Sequence, residues 1–342
     1  MRPAWELRSP LVPALALLAA ALFCGGDFLD SRLPWFGSAA VLLALALLAT
    51  RSLPHGLVAL APLWLLALWC AISVAWSIEP DRSWSYANRV FVYAVCALVG
   101  ALLSVSLRSL FYGVSALLGA VCVWALLGKV IPGLYEGYFA LARLSSPVGY
   151  ANSLALLGDI ALPLGLCLAS RRRVTGTLFV FGWIVAIALT YSRGGVVVAV
   201  LVVLAWMLLS GTWLDSIATL LAAAIPAAGA IAVAFALPAL TANGQSHSAR
   251  VRDGLIFGAV LLLDAAIVAA LARFPPPEAI PYTLRRAMIA LVAVACLGAL
   301  VVGGLHAHHL WDSFTSTTEV TNNPGRYGTT GSNFRWSWWV EA

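Results

Sequence analysis

Arg193 stands between two apolar runs in ALTYSRGGVVVAVLVVLAW (188–206), preceded by Ser192 and followed by Gly194 and Gly195. A guanidinium at the entrance of an apolar helix, beside a helix N-terminus, favours a phosphate or pyrophosphate. The two glycines would let such a ligand approach the backbone. Ionisable groups at membrane depth are functional suspects by default. The alternative is an arginine snorkelling to the lipid headgroups. A second group lies in RLSSPVGYANSLALLGDIALPLG (143–165). Here Arg143 would grip an anion, while Tyr150 and Asn152, where the chain enters the next apolar run, would contact a sugar or phosphate. Asn152 serves equally well as a helix N-cap.

Other polar residues carry weaker signals. Asp159 sits two turns into the same run, and Asp264 lies near the middle of a later one. An isolated carboxylate in lipid is costly, so each should face a bundle interior, paired or protonated. Structural pairing of Asp159 with a buried arginine is the leading expectation; Asp264 has no evident partner. His306, His308 and His309 in HAHH have spacings that converge on metals elsewhere. No carboxylate or cysteine accompanies them closely, so a wet juxtamembrane loop is expected and no metal. Glu79, Asp81 and Arg82 in WSIEPDRSW look like a solvated loop between interfacial tryptophans. In NFRWSWWVEA (333–342), Arg335, Trp339 and Ala342 recur at helical spacing. That is either a helix lying on a membrane surface or the edge of a cleft whose tryptophans stack on sugars, with Arg335 and Glu341 as its polar groups.

The elements that must position these residues follow from composition. The 342 residues are 62% hydrophobic and 10% charged, where a soluble domain carries roughly a quarter charged residues. The class is an all-α polytopic transmembrane helix bundle. The apolar run Leu11 to Phe23 is followed by further apolar runs rather than by a cleavage site and a polar mature region, so it reads as a retained first span. The six cysteines lie in or at the edge of apolar runs without a CxxC pair, which disfavours disulfide scaffolds and zinc ribbons. A net charge of +6 without a basic stripe gives nucleic-acid binding no support.

A hydrocarbon core about 30 Å thick needs roughly 17 to 25 apolar residues per helix. About eleven runs qualify: 10–24, 35–49, 56–76, 88–106, 109–131, 151–169, 174–191, 195–210, 214–239, 254–272 and 287–304. The second and eighth are short. The basic clusters Arg171 to Arg173 and Arg285–Arg286 should be cytoplasmic, which puts the N-terminus inside with Arg2, Arg8, Arg51, Arg108 and Arg273. The loops 25–34, 77–87, 132–150, 192–194, 241–253 and 305–342 then face outwards. Arg143, Arg193, Arg250, Arg252, Arg326 and Arg335 all fall on that disfavoured side, and a shared anionic ligand would explain them. The transmembrane domain is expected over 1–304, followed by the start of a large external loop at 305–342.

In this order and topology, R…GYANSLA, the basic turn, SRGG, WDSFTS and NFRWSWWVEA resemble the bacterial O-antigen ligase and polymerase superfamily over about Arg143 to Ala342, with weaker agreement at SVAWSIEPDRSW. The resemblance implies an inner-membrane glycosyltransferase acting on the outer face in lipopolysaccharide or polysaccharide biosynthesis. Its donor would be a polyprenyl-pyrophosphate-linked glycan and its acceptor lipid- or glycan-linked, with no metal or other cofactor. Arginines would hold the pyrophosphate and offset charge on the leaving group. By position these are Arg193 and Arg335 as catalytic cations, with Arg143 and Asn152 on the substrate; Tyr150, Ser192, Gly194, Arg250, Arg252 and Trp339 complete the expected binding set. The family's base histidine has no counterpart, since HAHH precedes Arg335, so the chain is expected to be truncated and to bind donor weakly or not at all, and catalysis by this polypeptide alone stays open. Two other readings stay open. An ion-coupled transporter or lipid-glycan flippase would use Asp159, Asp264 and Arg193 near the midplane, and a non-catalytic membrane scaffold would use none of them.

Overall fold

The computed structural model describes residues 10–23, 32–50, 57–103, 105–134, 142–274, 298, 301, 304–316, 323–328, 331–332 and 334–341. Its regular elements, among the described residues, are all helical. Two units divide the chain, one from residues 1–121 and 146–150, the other from 122–145 and 151–342.

The first unit contains α1 (Leu11–Phe23), α2 (Leu33–Thr50), α3 (Ala61–Ser73), α4 (Pro80–Leu102) and the start of α5 (Leu107–Val130). Its core is a seam of two matching ladders, Ala40, Ala44 and Leu47 on α2 against Val95, Val99 and Leu102 on α4. Both repeat at i, i+4, i+7, the spacing that keeps side chains on one helix face. Gly37 extends the seam: a Cβ there would come within 2.9 Å of Val92 Cγ2. The loop expected over 77–87 is much shorter, because α4 begins at Pro80. Proline at the first helical position and Asp81 in the first turn are start signals. Asp81 and Arg82 are therefore helical, and Arg82 reaches back to Glu79 at 3.3 Å.

The second unit takes up the end of α5 and continues through α6 (Ala151–Arg171), α7 (Arg173–Leu189), α8 (Arg193–Leu209), α9 (Trp213–Ala236), α10 (Pro238–Thr241) and α11 (His247–Leu271), then α12 (Ala307–Thr315) and α13 (Arg335–Glu341). Small residues set its packing. A Cβ at Gly158 would lie 2.6 Å from Ile187, one at Gly165 2.7 Å from Val180, and one at Gly176 would enter the backbone of Ala169. This lets α6 and α7 lie against each other, as small residues do between apolar helices. On α9, Ala223, Ala227, Ala230 and Ala234 form a fully buried stripe. Asp264 of α11 faces α9 near Gly229, and its Oδ2 has no hydrogen-bond partner.

Among the described residues, seven stretches are long and apolar enough to cross a membrane: α2, Leu57–Trp76 around α3, α4, α5, α6, α9 and α11. The chain has the build of a polytopic membrane protein. Three further expected runs fold as shorter apolar helices, α1, α7 and α8. At 17 residues, α7 and α8 are each about 25 Å long. The expected run over 287–304, with Arg285 and Arg286 before it, lies almost wholly outside the described residues.

The C-terminal segment, where described, is more helical than its composition suggests. His308 and His309 fall in the first turn of α12 rather than in a loop. His308 Nδ1 meets Asp312 Oδ2 at 2.8 Å, one turn on, so a carboxylate does accompany it. Trp311, Phe314, Trp336 and Trp339 gather where α12 meets α13, with Trp311 and Trp336 centroids 5.0 Å apart.

Candidate functional site

The site is built where helix ends of the second unit meet. Between α7 and α8 only Thr190, Tyr191 and Ser192 intervene, so the chain must reverse sharply. Tyr191 does this at φ 51°, in the left-handed region where a bulky side chain is strained. Its ring is completely buried and packs on Phe235 and Tyr327, with centroids at 5.8 and 6.1 Å. Burial of that aromatic surface offsets the strain.

The reversal leaves Ser192 as N-cap of α8, its Oγ accepting from the Gly195 amide at 3.2 Å. The N-terminus of α8 is thus partly capped by its own sequence. The glycine pair divides in function. A Cβ at Gly195 would come within 2.5 Å of Ala155 Cβ on α6, so this glycine permits close packing. A Cβ at Gly194 would meet nothing within 4 Å.

Arg143 braces the same turn from the 142–145 strand of chain. Its Nε donates to Thr190 O at 2.9 Å and its Nη2 to Asn152 Oδ1 at 3.0 Å. Leu144 N donates to Leu189 O at 2.8 Å. Asn152 lies inside the first turn of α6, which begins at Ala151, and its side-chain oxygen accepts from Arg143. Lys129, which sequence reasoning did not single out, is buried at the end of α5. Its Nζ donates to Ala142 O and Leu240 O, both at 2.9 Å, tying this segment to α10. Replacing Arg143 with alanine removes two charge-assisted bonds and is expected to cost about 2 kcal/mol. Thermal unfolding in detergent, compared with wild type, measures this.

Beside the turn lies a cavity of about 350 Å³. Asn152, Leu156 and Asp159 form its α6 wall; Ser192, Arg193, Gly194 and Gly195 form the head of α8; Val198 and Arg326 complete it. Arg193 Nη2 donates to Gly331 O at 2.8 Å, and Tyr327 O–H donates to Ala188 O at 2.8 Å, so residues 324–328 and 331–332 lie over the α7–α8 turn. Burial lifts the Tyr327 phenol to about 12, against the opposing pull of Arg143 and Arg326, and it stays a donor throughout the neutral range.

Ser192, Arg193, Gly194 and Asn152 are therefore together, with Arg143 behind Asn152. Arg250 and Arg252 do not line the cavity. Arg252 instead clamps Asp253, at 2.9 Å from both Nε and Nη2, while Asp253 Oδ2 accepts from Ala239 N. Tyr150 is half-exposed in the other unit. Trp339, also exposed, packs on Phe314 with ring centroids 6.2 Å apart. The backbone of Arg335 opens α13; its side chain, like Glu341's, lies outside the described residues. The C-terminal cation in the cavity wall is Arg326, which the sequence marked only as one arginine on a disfavoured side. The expected pairing of Asp159 is not made: it is 2% exposed, and its Oδ1 has no hydrogen-bond partner. Comparison of the chain with protein families, curated proteins and solved structures gives no match.

Proposed function

We propose that this protein is a polytopic membrane glycosyltransferase of the O-antigen ligase and polymerase type, taking a polyprenyl-pyrophosphate-linked glycan as donor. The observation that carries the reading is the cavity at the head of α8, where Arg193 and Arg326 share one wall system with Asn152, itself held by Arg143. Two guanidiniums lining one cavity with the head of α8 and its open Gly194 suit a pyrophosphate. In transfer, the same cations would offset charge developing on the leaving pyrophosphate. The acceptor would be a lipid- or glycan-linked sugar, and transfer would take place on the outer face of the bacterial inner membrane.

The proposal includes a threading of about eleven spans with the N-terminus cytoplasmic. The α6–α7 turn, with Arg171 to Arg173, would then lie inside and the head of α8 outside. Single cysteines at Gln245→Cys and Arg172→Cys check this in intact cells. An impermeant maleimide is expected to label the first directly and the second only after permeabilisation; the reverse pattern defeats the threading. Arg193 opens α8 rather than sitting within a span, which favours a surface-facing transferase over a midplane ion-coupled carrier.

Ligand binding tests the chemistry. The purified chain in lipid nanodiscs is expected to bind undecaprenyl pyrophosphate at least about tenfold more tightly than undecaprenyl monophosphate, a difference of about 1.4 kcal/mol. Equal affinities, or no binding of either, would sink the pyrophosphate assignment.

A further inference from the structure

Asp159 lies in the wall of the arginine-bearing cavity, yet it is bound to neither arginine there. Among the described side chains of the unit, the other acids apart from Asp264 have partners within the chain. Asp253 takes Arg252 and the Ala239 amide, and Asp215 meets Arg173 at 3.5 Å. Asp264 is also without a partner on Oδ2, but it faces α9 and does not reach the cavity. A buried carboxylate with no donor is costly. In a cavity, a bound molecule that brings the donor removes the cost.

The placement of Asp159 specifies what that molecule carries. Asn152, Leu156 and Asp159 recur at i, i+4, i+7, so they share one face of α6. Asn152 and Asp159 are seven residues apart, about 10 Å along the axis. Asn152 is at the end held by Arg143; Asp159 is the far end of the same wall. A phosphate alone would be attracted by the arginines and repelled by an ionised Asp159. A ligand with an anionic group at one end and hydroxyl or amide N–H groups at the other satisfies both. On the pyrophosphate reading, on which this step rests, that second part is the first sugar of the donor. We infer that Asp159 reads the sugar of a glycosyl pyrophosphate by accepting a hydrogen bond from a ring hydroxyl or N-acetyl amide.

Two probes separate the roles: undecaprenyl pyrophosphate, and the same carrier bearing one N-acetylglucosamine, each titrated against the full chain in nanodiscs. Asp159→Ala is expected to weaken binding of the sugar-bearing probe at least about tenfold, the loss of a hydrogen bond to a charged acceptor. The same change is expected to strengthen binding of the bare pyrophosphate, because it removes a like charge from its vicinity. Asp159→Asn keeps an acceptor of the same shape and is expected to recover part of the sugar affinity; it carries the same comparison should the alanine variant fail to assemble. Equal losses for both probes, or no loss for the sugar-bearing one, overturn the inference while leaving wild-type pyrophosphate binding intact. Wild-type protein that binds neither probe defeats the pyrophosphate reading itself.

Discussion

Arg193→Ala is expected to weaken undecaprenyl pyrophosphate binding at least about 100-fold, the largest loss for any single side chain of the cavity. Truncating one partner of a desolvated charge pair costs about 2–5 kcal/mol, and about 2.7 kcal/mol is already a factor of 100. Arg193→Lys keeps the charge without the planar fork and should recover only part of the loss. The confounding effect is structural, since Arg193 also holds Gly331 O at 2.8 Å and so helps fix the overlying segment. Tyr327→Phe supplies the control. It removes the bond to Ala188 O that fixes the same segment, but takes no cation from the cavity. A few-fold loss for Tyr327→Phe beside a 100-fold loss for Arg193→Ala assigns the arginine to the ligand. Equal losses would assign it to the loop. Raising salt should shrink the wild-type advantage, though less than at an exposed site, because the cavity is partly screened from water.

How much of this was legible in the sequence depends on how local each signal is. Ten of the eleven apolar runs fold as helices because uninterrupted apolar residues leave the backbone no other way to satisfy its hydrogen bonds in lipid. Helix boundaries were less visible. Pro80 and Asp81 start α4 eight residues before the apolar run begins, since start signals are polar and a hydropathy window passes over them. At the site, Arg193 and Asn152 were found because each interrupts an apolar pattern. Arg326 was not singled out, because it lies in a Gly- and Asn-rich stretch where arginine is unremarkable. Its segment is tied to the site by long-range contacts, Tyr327 to Ala188 and Gly331 to Arg193. Lys129 was missed for the opposite reason: at the end of α5 it looks like a snorkelling base, and its two carbonyl partners lie 13 and 111 residues away. Asp159 was recognised as buried but expected to be paired. Cost arguments say a buried charge needs a partner and leave open whether the partner belongs to the chain.

The glycine pair gives the second large effect, because adjacent residues of one type carry opposite consequences. Gly195→Val is expected to destabilise the protein by about 2–3 kcal/mol, the usual penalty for overpacking a closed contact. Its Cβ would lie 2.5 Å from Ala155 Cβ, which cannot rotate away since it is fixed to the α6 backbone, and 3.2 Å from the capping Ser192 Oγ. Helix α8 must then move off α6 or lose its cap, and either change deforms the wall that holds Arg193. Gly194→Ala meets open space and adds helix propensity of up to about 1 kcal/mol, so its stability should equal or slightly exceed wild type. Its methyl nevertheless enters the face along which a phosphate would approach, and pyrophosphate binding should fall while the fold holds. The pair separates packing from access by two independent readouts, thermal unfolding and ligand titration. The packing half has its own check in Ala155→Gly combined with Gly195→Ala, which moves the missing methyl to the opposite helix. If close contact with Ala155 is what requires glycine at 195, the double variant should be more stable than Gly195→Ala alone, despite carrying a further glycine within α6. A double variant less stable than Gly195→Ala alone would mean that α6 and α8 are not held together at that contact.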